Sequence, residues 1–330
     1  MSSLSPLARL HRPLVWFAGS MVALALVSAV GLAVDDRILV GAPIWAKPLK
    51  FSVSLVAYTL SLAWMISLLP TTHRAHRVGW WAGTVVAVSL TVEMVLITLQ
   101  VVRGTQSHFN QATPFDNAVF QIMGASIAIL WLSALVVAVL LLRARILDRA
   151  TAWAVRLSSV IALAGAAVGF LMVPPTPEQR AVDNPPISGA HSVGVPDGGP
   201  SMPVTGWSTT GGDLRVPHFF GMHALQLLPL LLLVLAALAP RFARLADDRV
   251  RLRLTLTASG AYAATFALLT WQALRGQALS APDAVTLTAA GAIALATAAA
   301  TALSLRGPSP TPTPSPSPAP PPSPSEEAAA

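Results

Sequence analysis

A carboxylate buried in an apolar run is the first feature of this chain that calls for a chemical explanation. Glu93 sits inside the aliphatic stretch 79–102, ten positions before Arg103, or about 15 Å of helical rise. An ionised group near the centre of a bilayer costs at least about 2.5 kcal/mol unless it is protonated, paired or hydrated. Glu93 is therefore expected to face other helices. Gln100 follows two turns later on the same face, extending a polar stripe toward Arg103. Such a stripe serves either a proton-carrying or ligand-pairing carboxylate, or a buried hydrogen bond between helices.

The run 218–239 supplies a second group. His223 and Gln226 are three apart and share a helical face. His218 and His223 are five apart, roughly 140° around a helix, so a regular helix does not aim both at one metal. The spacing departs from the i, i+4 pair of zinc-binding helices, and no metal site is expected. Glu93 or Gln100 is expected to meet His223 if the two helices are neighbours. Bis-histidine haem would need imidazoles from two elements. His223 and His108 are the pair that could be asked to serve, although His108 belongs to the loop RGTQSHFN. No cofactor is expected.

Lys47, Lys50, Arg103 and Arg215 form a third group, able to frame a pocket for a lipid phosphate or a carboxylate. Lysines at a helix end can also simply reach toward headgroups. Asp116 is placed to cap the helix that follows Thr113 and Pro114. His191, Trp207 and the glycines of GWSTTGGD read as flexible loop, and His73 and His76 receive no role. The ligand-site candidates are thus Lys47, Lys50, Glu93, Gln100, Arg103, His108, Arg215, His218, His223 and Gln226. Sequences that cradle phosphate, build a nucleophile elbow or hold zinc (GxxxxGK[ST], GxSxG, HExxH) do not occur. Any chemistry must take place inside the helices or at their mouth.

The elements that would position these residues are set by composition. Of 330 residues, 54% are hydrophobic and 11% charged, with a mean hydropathy of +0.64. Soluble domains carry about 25% charged residues, so lipid is the expected solvent. Eight apolar runs reach spanning length: 14–34, 51–70, 79–102, 117–142, 157–174, 218–239, 254–274 and 284–305. The first resembles a signal peptide, with Arg9 and Arg12 before it, but its apolar stretch is too long for one. The fold expected is all-α, a polytopic membrane helix bundle. The net charge of +7 reflects topology rather than nucleic-acid binding. Fourteen Lys and Arg fall in the even-numbered connections and the ends, against seven in the odd-numbered ones. That bias places both termini in the cytoplasm. The chain has no cysteine, which removes disulfides, thiolate metal sites and iron–sulfur clusters.

Two stretches lie outside the bilayer. Residues 175–216 form a long outer loop rich in Pro, Gly and Ser, and 307–330 read as a disordered Pro/Ser-rich cytoplasmic tail. The remainder divides into two four-helix halves, 1–156 and 157–306, that echo one another as tandem repeats. Thr98, Gln100, Arg103 and Gly104 recur as Thr270, Gln272, Arg275 and Gly276. Asp116 and Gly124 recur as Asp283 and Gly291, and Pro48 and Phe51 as Pro217 and Phe220. Ligand sites in duplicated membrane proteins tend to lie where the copies meet.

The segments GAPIWAKPLKFS, RGxxSHFN and GDLRVPHFFGMHALQLLPL, within 41–240, resemble those of an uncharacterised group of bacterial multi-pass membrane proteins. The resemblance implies a location in the bacterial cytoplasmic membrane and no particular activity. Three functions compete. The favoured one is a polar site opening outward for a small molecule, an anionic solute or a lipid, with transport as one version. The others are a membrane enzyme or redox protein acting on lipid or quinone, and a structural, partner-binding subunit.

Overall fold

A computed structural model describes residues 10–70 and 74–306; Arg9, His73 and the segment 307–330 lie outside the described residues. The protein is all-α. Its helices are α1 (Arg12–Val34), α2 (Ala46–Ser67), α3 (Arg74–Arg103), α4 (Pro114–Arg143), α5 (Arg149–Val168), the one-turn α6 (Pro177–Arg180), α7 (Arg215–Leu238), α8 (Asp248–Leu274) and α9 (Ala284–Leu305). All except α6, eight in total, are long and apolar enough to cross a membrane. The chain is a multi-pass membrane protein.

Hydropathy locates every span but misplaces several ends. Helix α2 begins at Ala46 rather than 51, and α5 at Arg149 rather than 157. In both, the first turns carry Lys or Arg, which lowers hydropathy without breaking the helix. Helix α5 gives way at Gly169 to a 3₁₀ turn, Gly169–Met172.

The main core lies among α1, α2, α3 and α4, around Leu14, Met65, Ile66, Val86 and Met94. Along α8 and α9 only 11% and 6% of the most apolar window is buried. Leu287 and Leu295 stand open on α9, as expected of side chains whose solvent is lipid.

The four connections α1–α2, α3–α4, α5–α7 and α8–α9 meet at one end of the bundle, here the loop end. Arg37 Nη1 donates to Val102 O at 3.3 Å, Gln111 N to Pro186 O at 2.8 Å, and Lys50 Nζ to Thr205 O at 3.0 Å. The stretch after α5 is folded, contrary to the expectation of a flexible loop. Thr176 and Gln179 form a capping box on α6. The strands β3 (Ser192–Val193) and β4 (Gly212–Asp213) pair antiparallel, with Asp213 2% exposed. A shorter hairpin, β1 (Ile38–Leu39) with β2 (Ala42–Pro43), closes the α1–α2 connection.

The packing of the first four spanning helices is repeated in the last four spanning helices. Helix α1 lies on α2 and α3, α2 on α3, and α3 on α4; correspondingly α5 lies on α7 and α8, α7 on α8, and α8 on α9. The same turn also ends α3 and α8. Gly104 (φ +73°) and Gly276 (φ +72°) take the left-handed conformation that suits glycine at a helix C-terminus. The N–H of Thr105 then returns to Gln100 O, and that of Gln277 to Gln272 O. Gln100 Nε2 donates to Gln106 O at 3.3 Å and Gln272 Nε2 to Ala278 O at 2.9 Å. Arg103 pairs with Asp116 at 2.5 Å and Arg275 with Asp283 at 2.7 Å. We call each of these arrangements a clasp.

Candidate functional site

Helices α2, α3 and α4 face α5 and α7 around a cavity of about 1820 Å³, roofed by the loops of the loop end. Most of its wall is aliphatic or aromatic. Its charged side chains gather toward the loops, while Tyr58, Ser159, His223 and Gln226 line it deeper along α2, α5 and α7.

Helix α2 brings in Lys47 and Lys50 on adjacent turns. Lys47 Nζ donates to Ser107 Oγ at 2.7 Å and to His108 Nδ1 at 2.8 Å. On the other side of the ring, His108 Nε2 lies 3.4 Å from Glu93 Oε1. This chain fits one tautomer, in which Nδ1 accepts and Nε2–H donates, an assignment made from the partners. Burial, and then the Lys47 charge, pushes the His108 imidazole down to about 4, so it is neutral at pH 7. Phe109 next to it adopts a left-handed backbone (φ +63°), uncommon for a bulky residue. Its ring is buried and packs edge-on against Phe120. Glu93 is 2% exposed. Its Oε1 faces His108, while its Oε2 is buried with no hydrogen-bond partner among the described residues.

Helix α7 begins with Arg215, whose guanidinium grips Asp213 through Nε (2.9 Å) and Nη2 (2.6 Å) and donates to Gly206 O at 2.6 Å. One turn on, His218 bonds through Nδ1 to Gly165 O of α5 at 2.8 Å. The two helices come close there: a Cβ on Gly165 would lie 2.6 Å from Gly221 Cα. His223 pairs with Gln226 on its own helix at 3.2 Å.

The candidates therefore separate into two sets. Lys47, Lys50, Glu93 and His108 line the cavity from one side, and Arg215, His218, His223 and Gln226 from the other. Gln100 and Arg103 do not line it. Both are engaged with Asp116, at 2.9 Å and 2.5 Å. The expected meeting of Glu93 with His223 is replaced by contact between Glu93 and His108. Helix α3 packs chiefly on α1, α2 and α4, and α7 on α5, α8 and α2, so α2 stands between the helices that carry the two residues. Both nitrogens of His108 are engaged by Lys47 and Glu93, which leaves neither free for a haem iron. The cap of α4 is Thr113 rather than Asp116: Thr113 Oγ1 accepts from Asp116 N at 3.1 Å. Among the described residues, no three His, Asp or Glu side chains cluster as a metal site.

One pair was missed in the sequence. His191 Nδ1 lies 2.8 Å from Asp197 Oδ2, and that carboxylate also accepts from the backbone N–H of His191 and Ser192. Both residues line the cavity. Burial pushes the His191 imidazole down, Asp197 pulls it back up, and Arg215 and Lys47 add to the lowering. Burial raises the Asp197 carboxyl, but its hydrogen bonds outweigh that and hold it well below the usual carboxylate range. The only signal in the sequence was the spacing of His191 and Asp197 around a tight Gly/Pro turn.

A neutral buried histidine makes stability depend on pH. Below the unfolded value of about 6.5 the unfolded chain takes up a proton that folded His108 refuses until about pH 4. Stability is therefore full above pH 6.5 and falls through that window by up to about 1.4 kcal/mol per pH unit. Thermal melts in detergent between pH 7 and 4 should show this loss. His108→Gln should flatten the profile in part.

The fold and site together define a class: a polytopic membrane protein with an elongated, mostly apolar cavity whose polar end lies among the loops. Comparison with known proteins takes the identity no further, since no family model, curated protein or solved structure matches the chain.

Proposed function

We propose that the protein binds an anionic small molecule or lipid headgroup at the polar end of this cavity, which opens to the extracytoplasmic side of a bacterial cytoplasmic membrane. In this reading both termini are cytoplasmic, and the two halves are tandem copies that meet at the site. The observation that carries it is Glu93, a buried carboxylate with one oxygen unpaired, placed on the cavity beside Lys47. A buried acceptor left unsatisfied costs about 1–3 kcal/mol, and a hydroxyl or N–H on a ligand would remove that cost. Neither Lys47 nor Lys50 is hydrogen-bonded to a carboxylate among the described residues. Both remain available to a phosphate or carboxylate, with Arg215 close by. Transport of such a solute is one version of this function.

Lys50→Met tests the reading, since Lys50 is exposed and its one hydrogen bond goes to a loop carbonyl. Calorimetric titration of the purified protein with water-soluble dihexanoyl phosphatidylglycerol should give affinity weakened by about tenfold, or 1.4 kcal/mol. Thermal stability should stay unchanged. Unaltered affinity in the variant, or no binding by the wild type, defeats the proposal.

A second reading, a membrane enzyme acting on lipid or quinone, is favoured by the His191–Asp197 pair. A carboxylate that holds Nδ1 leaves the other ring nitrogen able to move a proton. Under that reading His191→Ala would abolish turnover of the bound lipid while leaving its binding intact.

A further inference from the structure

We infer that the ligand is a chain-bearing anionic lipid taken up from the bilayer, its headgroup at the polar end and one hydrocarbon chain lying along the shaft between the two halves. This rests on the proposed headgroup site and adds the class of molecule that fills the rest of the cavity.

Size carries the first part of the argument. Sites for small molecules enclose about 300–1000 Å³, whereas this cavity is about 1820 Å³. A small anion at Lys47 and Lys50 would leave most of it empty. Shape carries the second. Along α4 the lining runs from Phe120 to Leu141, about 31 Å of rise, comparable with the roughly 30 Å hydrocarbon core of a bilayer. A solute in transit would need polar groups along such a path. Below the lysines the wall is mostly made by residues such as Leu55, Met123, Ile127, Trp131 and Leu163, with few polar side chains, Tyr58, Ser159 and the mutually paired His223 and Gln226. Charge carries the third. The cations stand only at the loop end, matching a molecule with one anionic end and an apolar remainder. Glu93 Oε2 lies at the junction of the two regions, where a hydroxylated headgroup would donate to it.

Gly124 offers a way to separate chain from head. It lines the shaft, and a Cβ built there meets nothing within 4 Å. Gly124→Phe should therefore fill the passage without disturbing α4, where phenylalanine is a better helix former than glycine. Trp131 lies about 10 Å further along the same helix and reports on the deeper shaft.

The experiment places the full chain in phosphatidylcholine nanodiscs containing phosphatidylglycerol brominated toward the chain end. Quenching of Trp131 is read as the difference between wild type and Trp131→Phe. We expect saturable quenching by brominated phosphatidylglycerol and much less by brominated phosphatidylcholine at the same mole fraction. Gly124→Phe should remove it while titration with dihexanoyl phosphatidylglycerol stays normal. Equal quenching by both lipids, none by either, or no effect of Gly124→Phe overturns the chain assignment. If the short-chain lipid still binds in those cases, the headgroup reading survives alone; if it does not bind, both fall.

Discussion

Asp116→Asn is expected to destabilise the protein by about 3 kcal/mol, while the same change at Asp283 should leave its melting temperature almost unmoved. The two aspartates hold equivalent places in the two clasps. Asp116 accepts from Gln100, Arg103 and Thr113, with its side chain 5% exposed. Removing one partner of a buried ion pair costs about 3–5 kcal/mol. The low end applies because Arg103 is 35% exposed and regains water. Asparagine would also turn an N–H₂ toward donors already present. Asp283 has the same arginine partner, but both side chains are more than one-third open, where ion pairs contribute little. Asparagine also keeps the cap that Asp283 gives Thr286 N. Parallel thermal unfolding in one detergent decides it: equal losses at the two sites would show that burial does not set the strength of these clasps.

Gly165→Leu should have the largest effect of any single change considered, a loss above about 4 kcal/mol or failure to accumulate in the membrane. The added Cβ alone would fall 2.6 Å from the backbone of Gly221, and backbone cannot move aside as a flexible side chain can. Close approach through small residues is how membrane helices gain packing where water gives no hydrophobic drive between them. Separating α5 from α7 would also stretch the His218 bond to Gly165 O and widen the cavity beside it. Gly291→Ala in α9 is the control. Nothing lies within 4 Å of that position, and alanine there should be neutral or stabilising by up to about 1 kcal/mol. A well-folded Gly165→Leu protein would mean that the crossing is looser than described.

The spans were legible because lipid imposes one rule on every segment, internal satisfaction of the backbone by a run of apolar residues. Eight runs became eight helices for that reason. Glu93 was legible on the same ground, as a costly group that had to face protein. Its partner was not, because which helix lies opposite depends on packing that hydropathy does not encode. His108 reaches Glu93 from the α3–α4 loop, beside the left-handed Phe109. Arg103 looked like a mouth residue and Gln100 like part of a polar stripe leading to it, yet Asp116 engages them both. His191 and Asp197 were passed over because glycine and proline around them suggested an unfolded loop, whereas those residues build the turns that bring the two together.

Overlaying the clasps, 172 positions apart, sets Thr265 against Glu93. The 169-residue spacing of Pro48 and Pro217 likewise sets Val216 against Lys47 and Phe219 against Lys50. If the halves descend from one ancestor, only one descendant holds the ionisable side chains at these positions. The other offers valine and phenylalanine in place of the lysines and an uncharged threonine in place of the glutamate. In such a molecule the amino-terminal twin would supply both lysines and the glutamate, and the carboxy-terminal twin Arg215 and the apolar wall. Exchanging residues between these paired positions would then move selectivity from one twin to the other without redrawing the scaffold.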